Sequence, residues 1–273
     1  MKKIYLILVA VFTSALLLAQ DNTEQKKQQA ENEIVISAMG YKSFLTMTPG
    51  GIGILTGEDI QKLDPVSISN AMQGITGVYK ASDSSWGSEI SIRGTTRDKV
   101  ILIIDDSRVI TSTDIAAQFG TIDPMSVERI EILKGPVSSL YGSGNIGGVV
   151  NVVTRNGKFT ETPGFKSGIS VSGDYLTSGY NTYAFTSYNS PGWYVFSSGS
   201  YRDHDDYRDG DGNKVKNSGF KDGQGAVNLG FKLSPNHIIE IHSQYYEGQD
   251  IGIPGARNNI PLTASSAEYT ILS

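Results

Sequence analysis

Val127-Glu-Arg-Ile-Glu-Ile-Leu-Lys-Gly-Pro136-Val-Ser-Ser-Leu-Tyr-Gly142-Ser-Gly-Asn-Ile-Gly-Gly148-Val-Val-Asn-Val-Val-Thr-Arg155 carries most of the structural information in this chain. Arg129-Ile-Glu-Ile-Leu133 alternates as an amphipathic strand should, and Gly135-Pro136 ends it in a turn. Pro136 to Tyr141 reads as one helical turn, Gly142 to Gly148 as a glycine-rich crossing, and Val149-Val-Asn-Val-Val153 as a β-branched strand. Working backwards, Pro49 to Arg155 is mixed α and β. Gly51-Ile-Gly-Ile-Leu-Thr56 reads as a strand, and Gly57 to Leu63 as a helix with acids in its first turn. Ser67 to Gln73 reads as a helix, Glu89 to Arg93 and Lys99 to Ile104 as strands, and Asp123-Pro124 as the opening of a further helical turn. Such a unit is large enough to bury its own core.

Forward of Arg155 the period changes to two. From Phe165 to Tyr175 the odd positions are Phe, Ser, Ile, Val, Gly and Tyr, against Lys, Gly, Ser, Ser and Asp at the even ones. Val227, Leu229, Phe231 and Leu233 alternate with Ala, Asn, Gly and Lys, and Ile239, Ile241 and Tyr245 with Glu240, His242 and Gln244. Tyr180 to Tyr188 and Trp193 to Arg202 fit the alternation less cleanly. Short turns at 189–192 and 234–236 alternate with long polar loops at 203–219 and from Gly248 onward. Alternation of this kind is the signature of transmembrane barrel strands, with Trp193, Tyr201 and Tyr175 as candidates for interfacial belts. A soluble β-sandwich is the competing reading. Five strands are complete, and Ala267 to Ser273 reads as the start of a sixth.

Lys2 and Lys3 followed by the apolar run Ile4 to Leu18 predict a secretory signal peptide over 1–20, although Leu17-x-Ala19 fits a cleavage site only loosely. A membrane anchor is the alternative. Residues 21–32 are polar and aperiodic, a disordered linker. The 273 residues include no cysteine, so an exported product relies on no disulfide or thiolate site, and a net charge of -5 argues against a nucleic-acid groove.

Several motifs have plain readings. Gly142-Ser-Gly144-Asn-Ile-Gly147 matches G-x-G-x-x-G, but with helix before and strand after, the reverse of a dinucleotide fingerprint. Asp105-Asp106 reads as a turn, because adjacent strand residues point to opposite faces. Asp209, Asp211 and Asn213 have the first ligand spacings of an EF-hand loop, but Lys214 stands where Gly is required and Phe220 where Glu closes the loop. A calcium site and a solvated loop are the two readings there. His204, His237 and His242 form no ligand pair, and no nucleophile turn supports hydrolytic chemistry, so the chain does not read as an enzyme.

The order and spacing of 127–155 resemble the end of the plug domain of TonB-dependent outer-membrane receptors. The plug motif is carried by Gly94, Glu128, Glu131, Lys134, Gly135, Pro136, Tyr141, Gly142, Gly147 and Gly148. Glu33-Ile34-Val35-Ile36-Ser37-Ala38 is similar to the TonB box, an extended segment able to add itself to another protein's sheet edge. Arg93 and Arg129 match arginines that lock the plug to barrel glutamates in this family, with an internal pair to Glu128 or Glu131 as the alternative.

The resemblance implies an α+β plug domain over 40–156, followed over 157–273 by antiparallel transmembrane β-barrel strands. These would be five to six strands of an incomplete barrel of about twenty-two. It also implies import of a scarce nutrient, above all a ferric siderophore, with cobalamin and haem as rivals. The implied partners are TonB with its ExbB–ExbD inner-membrane complex, the small-molecule iron chelate and outer-membrane lipid. No cofactor is implied beyond the calcium reading at Asp209 and Asp211. A ligand-capture module without transport, and an exported enzyme, are the competing classes.

Overall fold

The computed structural model describes residues 51–254, apart from 82–83, 97–98, 106, 110–114 and 136–145. It also describes the backbone of three short strands, β1 (Val35–Ile36), β2 (Ser43–Phe44) and β15 (Ala267–Leu272). The expected signal peptide and linker, Glu33, Ile34, Ser37, Ala38, Asp106, Pro136, Tyr141 and Gly142 lie outside the described residues. The remaining pair of the expected TonB box, Val35 and Ile36, lies antiparallel to Phe44 and Ser43.

The first domain is built on a five-stranded sheet in the order β3-β8-β9-β6-β7. Its strands are β3 (Gly51–Thr56), β6 (Val100–Ile104), β7 (Ser107–Arg108), β8 (Val127–Lys134) and β9 (Gly148–Thr154). The β6–β9 pair is parallel and the other pairs antiparallel. Helix α1 (Gly57–Leu63) begins where Thr56 and Asp59 form a reciprocal capping box, and it stops at Asp64, whose left-handed backbone (φ 42) closes the last turn. Helix α2 (Ile68–Met72), the hairpin β4 (Val78–Ala81)–β5 (Glu89–Ile92) and helix α3 (Ile115–Gly120) follow, and a 3-10 turn at Pro124–Ser126 is capped by the Asp123 carboxylate.

Leu55, Ile60, Ile68, Met72, Ile90, Ile92, Phe119, Ile130, Ile132, Val150 and Val152 form one continuous core between these helices and the sheet. The alternation read in 129–133 therefore buries Ile130 and Ile132 on the helical side. Two motif glycines are demanded by close approach. A Cβ on Gly147 would collide with Thr95, and one on Gly148 (φ 149) with the Leu133 carbonyl.

The second part is a six-stranded antiparallel meander, β10 (Gly164–Asp174), β11 (Gly179–Asn189), β12 (Trp193–His204), β13 (Phe220–Ser234), β14 (His237–Gln249) and β15, each strand paired with the next. Its outer face carries Ile169, Val171, Val227 and Ile241 between two levels of aromatics. Phe165, Tyr188, Trp193 and Phe231 lie near the short turns, and Tyr188 contacts both Phe165 and Trp193 with centroids 4.9 and 4.7 Å apart. Tyr180, Tyr201 and Tyr245 lie near the long loops, and Tyr180 and Tyr201 are 6.1 Å apart. The inner face packs on the α+β domain. Tyr183, Tyr194 and Phe196 of β11 and β12 are buried there, which is why those two strands carry large apolar residues on both faces and alternate less clearly than their neighbours.

Candidate functional site

The contact between the α+β domain and the six-stranded wall is polar at its centre. Arg202 of β12 is 1% exposed, and its guanidinium faces Asp222 of β13. Nε donates to Oδ1 at 2.7 Å, and Nη2 donates to Oδ2. The remaining donor capacity reaches the other domain, with Nη2 on the Gly120 carbonyl at 2.8 Å and Nη1 on the Val66 carbonyl at 3.3 Å. A planar fork with five fixed donors suits this double duty, which a lysine ammonium does not reproduce.

From the opposite side Trp86 donates its indole N–H to Asp222 Oδ2 (2.9 Å) and to the Tyr246 hydroxyl (2.8 Å), while Tyr246 donates to Asp222 Oδ2 at 3.0 Å. Asp222 is thus the common acceptor of a guanidinium, an indole and a phenol. A second carboxylate, Asp123, is 2% exposed nearby and accepts from the Met125 N–H at 2.8 Å. Burial pushes its carboxyl up, and the attraction of Arg202 opposes that shift.

A second attachment lies where the chain passes from one part to the other. The Tyr194 ring occupies a slot whose walls are Gly157 and Gly230; a Cβ on either glycine would enter the ring. Its hydroxyl donates to Glu240 at 2.6 Å and accepts from the Asn156 side-chain amide at 3.1 Å, and Asn228 donates to Asn156 Oδ1 at 3.1 Å. Arg155 lies over the rings of Tyr183 and Phe185, 5.9 Å from each centroid.

The residues singled out in the sequence take different places. Arg129 pairs with the fully buried Glu131 at 2.8 Å, inside the α+β domain, and Glu131 also accepts from the Asn151 amide at 3.1 Å. Glu128 pairs with Lys158 at 2.8 Å. Arg93 is exposed at φ 51 before Gly94 (φ 85), its guanidinium lying over Gly51, and among the described residues no wall carboxylate pairs with it. Lys134 donates to the Thr76 carbonyl at 2.7 Å, and Gly135 follows at φ 130. Burial and the nearby Arg93 hold the Lys134 ammonium below its ordinary range.

Asp209 spends its carboxylate on the loop itself, accepting the N–H groups of Asp211 (3.0 Å) and Asn213 (2.8 Å). Among the described residues no group of three His, Asp or Glu side chains is arranged to hold a metal. The residues that join the two parts most strongly, Trp86, Arg202, Asp222 and Tyr194, were not among those singled out. Trp86 and Asp222 are 136 positions apart, and no local pattern announces such a pair.

Comparisons with known proteins agree with this arrangement. Residues 45–149 match the family model of the TonB-dependent receptor plug domain. An iron-regulated outer membrane virulence protein of Vibrio cholerae is 24% identical over 278 aligned positions, which take in 96% of this chain and 39% of that protein. The vitamin B12 transporter BtuB of the same organism is 28% identical over 149 positions, 54% of this chain and 24% of the transporter. The chain therefore spans about two fifths of the first relative's length. Among solved structures the copper transporter OprC superposes with a TM-score of 0.65 at 18% identity, covering 76% of this chain and 31% of OprC, a likeness of fold. With residues 51–154 folded as a plug and long antiparallel strands laid against it, residues 45–149 are a TonB-dependent receptor plug domain, and the strands that follow resemble the opening of a receptor barrel.

Proposed function

We propose that the protein containing this chain is an outer-membrane receptor that imports a ferric siderophore, with the plug gating the barrel. The observation that carries the reading is the wall itself, six consecutive antiparallel strands with an apolar outer face between two aromatic levels and a folded domain held on the inner face by Arg202 and Asp222. Trp193 and Tyr201 are eight residues apart on β12, about 26 Å along the strand, or roughly 20 Å of height at a barrel tilt of about 40°, within the roughly 25 Å apolar band of an outer-membrane barrel. A water-soluble sandwich has no use for such a face.

In this reading residues 1–20 direct export, 21–32 form a periplasmic linker, and 33–38 are the TonB box. Val35 and Ile36 exchange their short pairing with Phe44 and Ser43 for an edge strand of TonB, which the ExbB–ExbD complex energises. Arg93 and Arg129 stay assigned to the lock with barrel glutamates, against the alternative that Arg129 serves within the plug, where it pairs with Glu131. Asp209 and Asp211 serve as a loop turn rather than a calcium site.

An iron chelate as cargo is supported by the relative named for iron regulation, aligned along nearly the whole chain. Cobalamin is the alternative, supported by the vitamin B12 transporter. The experiment is uptake of a labelled ferric siderophore and of cobalamin by cells expressing the full-length protein with and without residues 33–38. Deletion should abolish uptake and leave cargo binding intact. Uptake that survives the deletion overturns the box assignment, and uptake of cobalamin alone overturns iron.

A further inference from the structure

The Arg202–Asp222 clasp is closed off from water by a residue of an outer loop. Beyond β14, Asp250 turns the chain through a left-handed backbone (φ 50) and delivers the side chain of Ile251 into a small apolar cluster with Trp86 and Phe220, flanked by Val66 and Tyr246. Ile251 is 1% exposed although the residues on either side of it lie in a loop. Every other member of this cluster touches the clasp or adjoins it. Val66 supplies a carbonyl to Arg202, Trp86 and Tyr246 bond Asp222, and the Arg202 guanidinium lies 5.3 Å from the Phe220 ring centroid.

The loop is not free to drift by itself. The Gly252 N–H bonds the Gly219 carbonyl at 2.9 Å, Asn217 donates to the Ile253 carbonyl at 2.8 Å, and Gly252 sits so close to the Asn217 backbone that no side chain would fit there. The two loops are thus tied to each other beside Ile251.

Ion pairs and hydrogen bonds weaken as water reaches them, because the local dielectric rises and water competes for each donor and acceptor. We infer that Ile251 controls the plug–wall clasp, since seating it keeps Arg202, Asp222 and the Gly120 carbonyl dry, and withdrawing it with the paired loops hydrates and loosens them. The inference deepens the proposed function by naming how cargo held by outer loops is read by the plug. The first arm of its test does not depend on cargo.

Hydrogen exchange of the full-length receptor in detergent reads the device. The peptide 115–126 reports the clasp, and peptides over Val100–Ile104 and Gly148–Thr154 report the sheet behind it. Ile251→Ser, which removes no polar contact, should accelerate exchange in 115–126 about tenfold, with the sheet peptides unchanged. Ile251→Leu should restore the original rate. Unchanged exchange in Ile251→Ser, or equal acceleration in the sheet peptides, overturns the inference. Adding a ferric siderophore to the unaltered receptor should reproduce the acceleration. Binding measured by calorimetry with no change in 115–126 overturns the link to cargo, whereas no binding at all refutes the iron reading and leaves the Ile251 comparison standing.

Discussion

Arg202 reaches across from the barrel wall to hold the plug by a main-chain carbonyl, that of Gly120, at 2.8 Å. Asp222 holds the guanidinium in place from the wall side. The attachment therefore does not depend on a side chain of the plug at Gly120 itself. Substituting Asp222 by Asn leaves a buried guanidinium without its counter-charge, and should cost about 3–5 kcal/mol of plug–wall stability. Arg202→Met should cost a similar amount, because it takes the counter-charge from Asp222, which keeps only its Trp86 and Tyr246 bonds, and orphans two carbonyls. The pair of substitutions together should cost less than their sum. A double-mutant cycle by urea denaturation of the purified receptor checks this, and additivity would mean that the two residues act independently.

Ile169 is 80% exposed on the outer face of β10, midway between the two aromatic levels. On a sheet facing water Ile169→Lys would change stability by no more than about 0.5 kcal/mol. On a sheet facing hydrocarbon the same change near the midplane should cost about 2–4 kcal/mol. Folding into lipid vesicles, titrated with urea, separates the two.

Gly230→Ala pushes a methyl group into the Tyr194 ring, which is closed on its other side by Gly157. Overpacking of this kind should destabilise by about 1–3 kcal/mol. Gly192→Ala, which meets nothing within 4 Å, is the matched control, and the midpoint of thermal unfolding compares them.

Asp206 lies in the loop between β12 and β13, where it accepts the N–H groups of Ser218 at 2.7 Å and Gly219 at 3.0 Å. Partial burial alone would raise its carboxyl, but these two donors and nearby Lys214 outweigh burial, and the net direction is downward. A carboxyl held below its unfolded value stabilises the loop fully above the ordinary carboxylate range. That stabilisation disappears as the pH falls through the lowered folded value. Protection of the Ser218 and Gly219 amides, relative to their intrinsic exchange at each pH, should therefore hold through mildly acidic pH and fall only as the pH passes below the ordinary carboxylate range. Asp206→Asn should remove this acid dependence.

The plug was legible because its signals are local. The alternation in 129–133, the acids in the first turn of 57–63 and the glycines at 147 and 148 each act over a few residues, and each appears where the sequence places it. Strands β10, β13 and β14 were legible by their period of two. Strands β11 and β12 were blurred because Tyr183, Tyr194 and Phe196 turn apolar rings inward against the plug, so both faces are apolar. The clasp was not legible. Arg202 and Asp222 stand opposite each other across β12 and β13, but Trp86 and the Gly120 carbonyl reach them only when the wall packs on the plug, and a single Trp in a loop carries no sign of a partner 136 positions away. Arg129 illustrates the converse. Its motif is unmistakable, yet within the described residues the carboxylate it finds belongs to Glu131, two positions along the same strand.

Tyr194 stands between Gly157, on the segment leaving the plug, and Gly230, on the wall, with Asn156 and Glu240 gripping its hydroxyl. If the plug moves as the proposed function requires, while these contacts hold, its excursion is a swing about this post, with displacement growing with distance from residues 155–158.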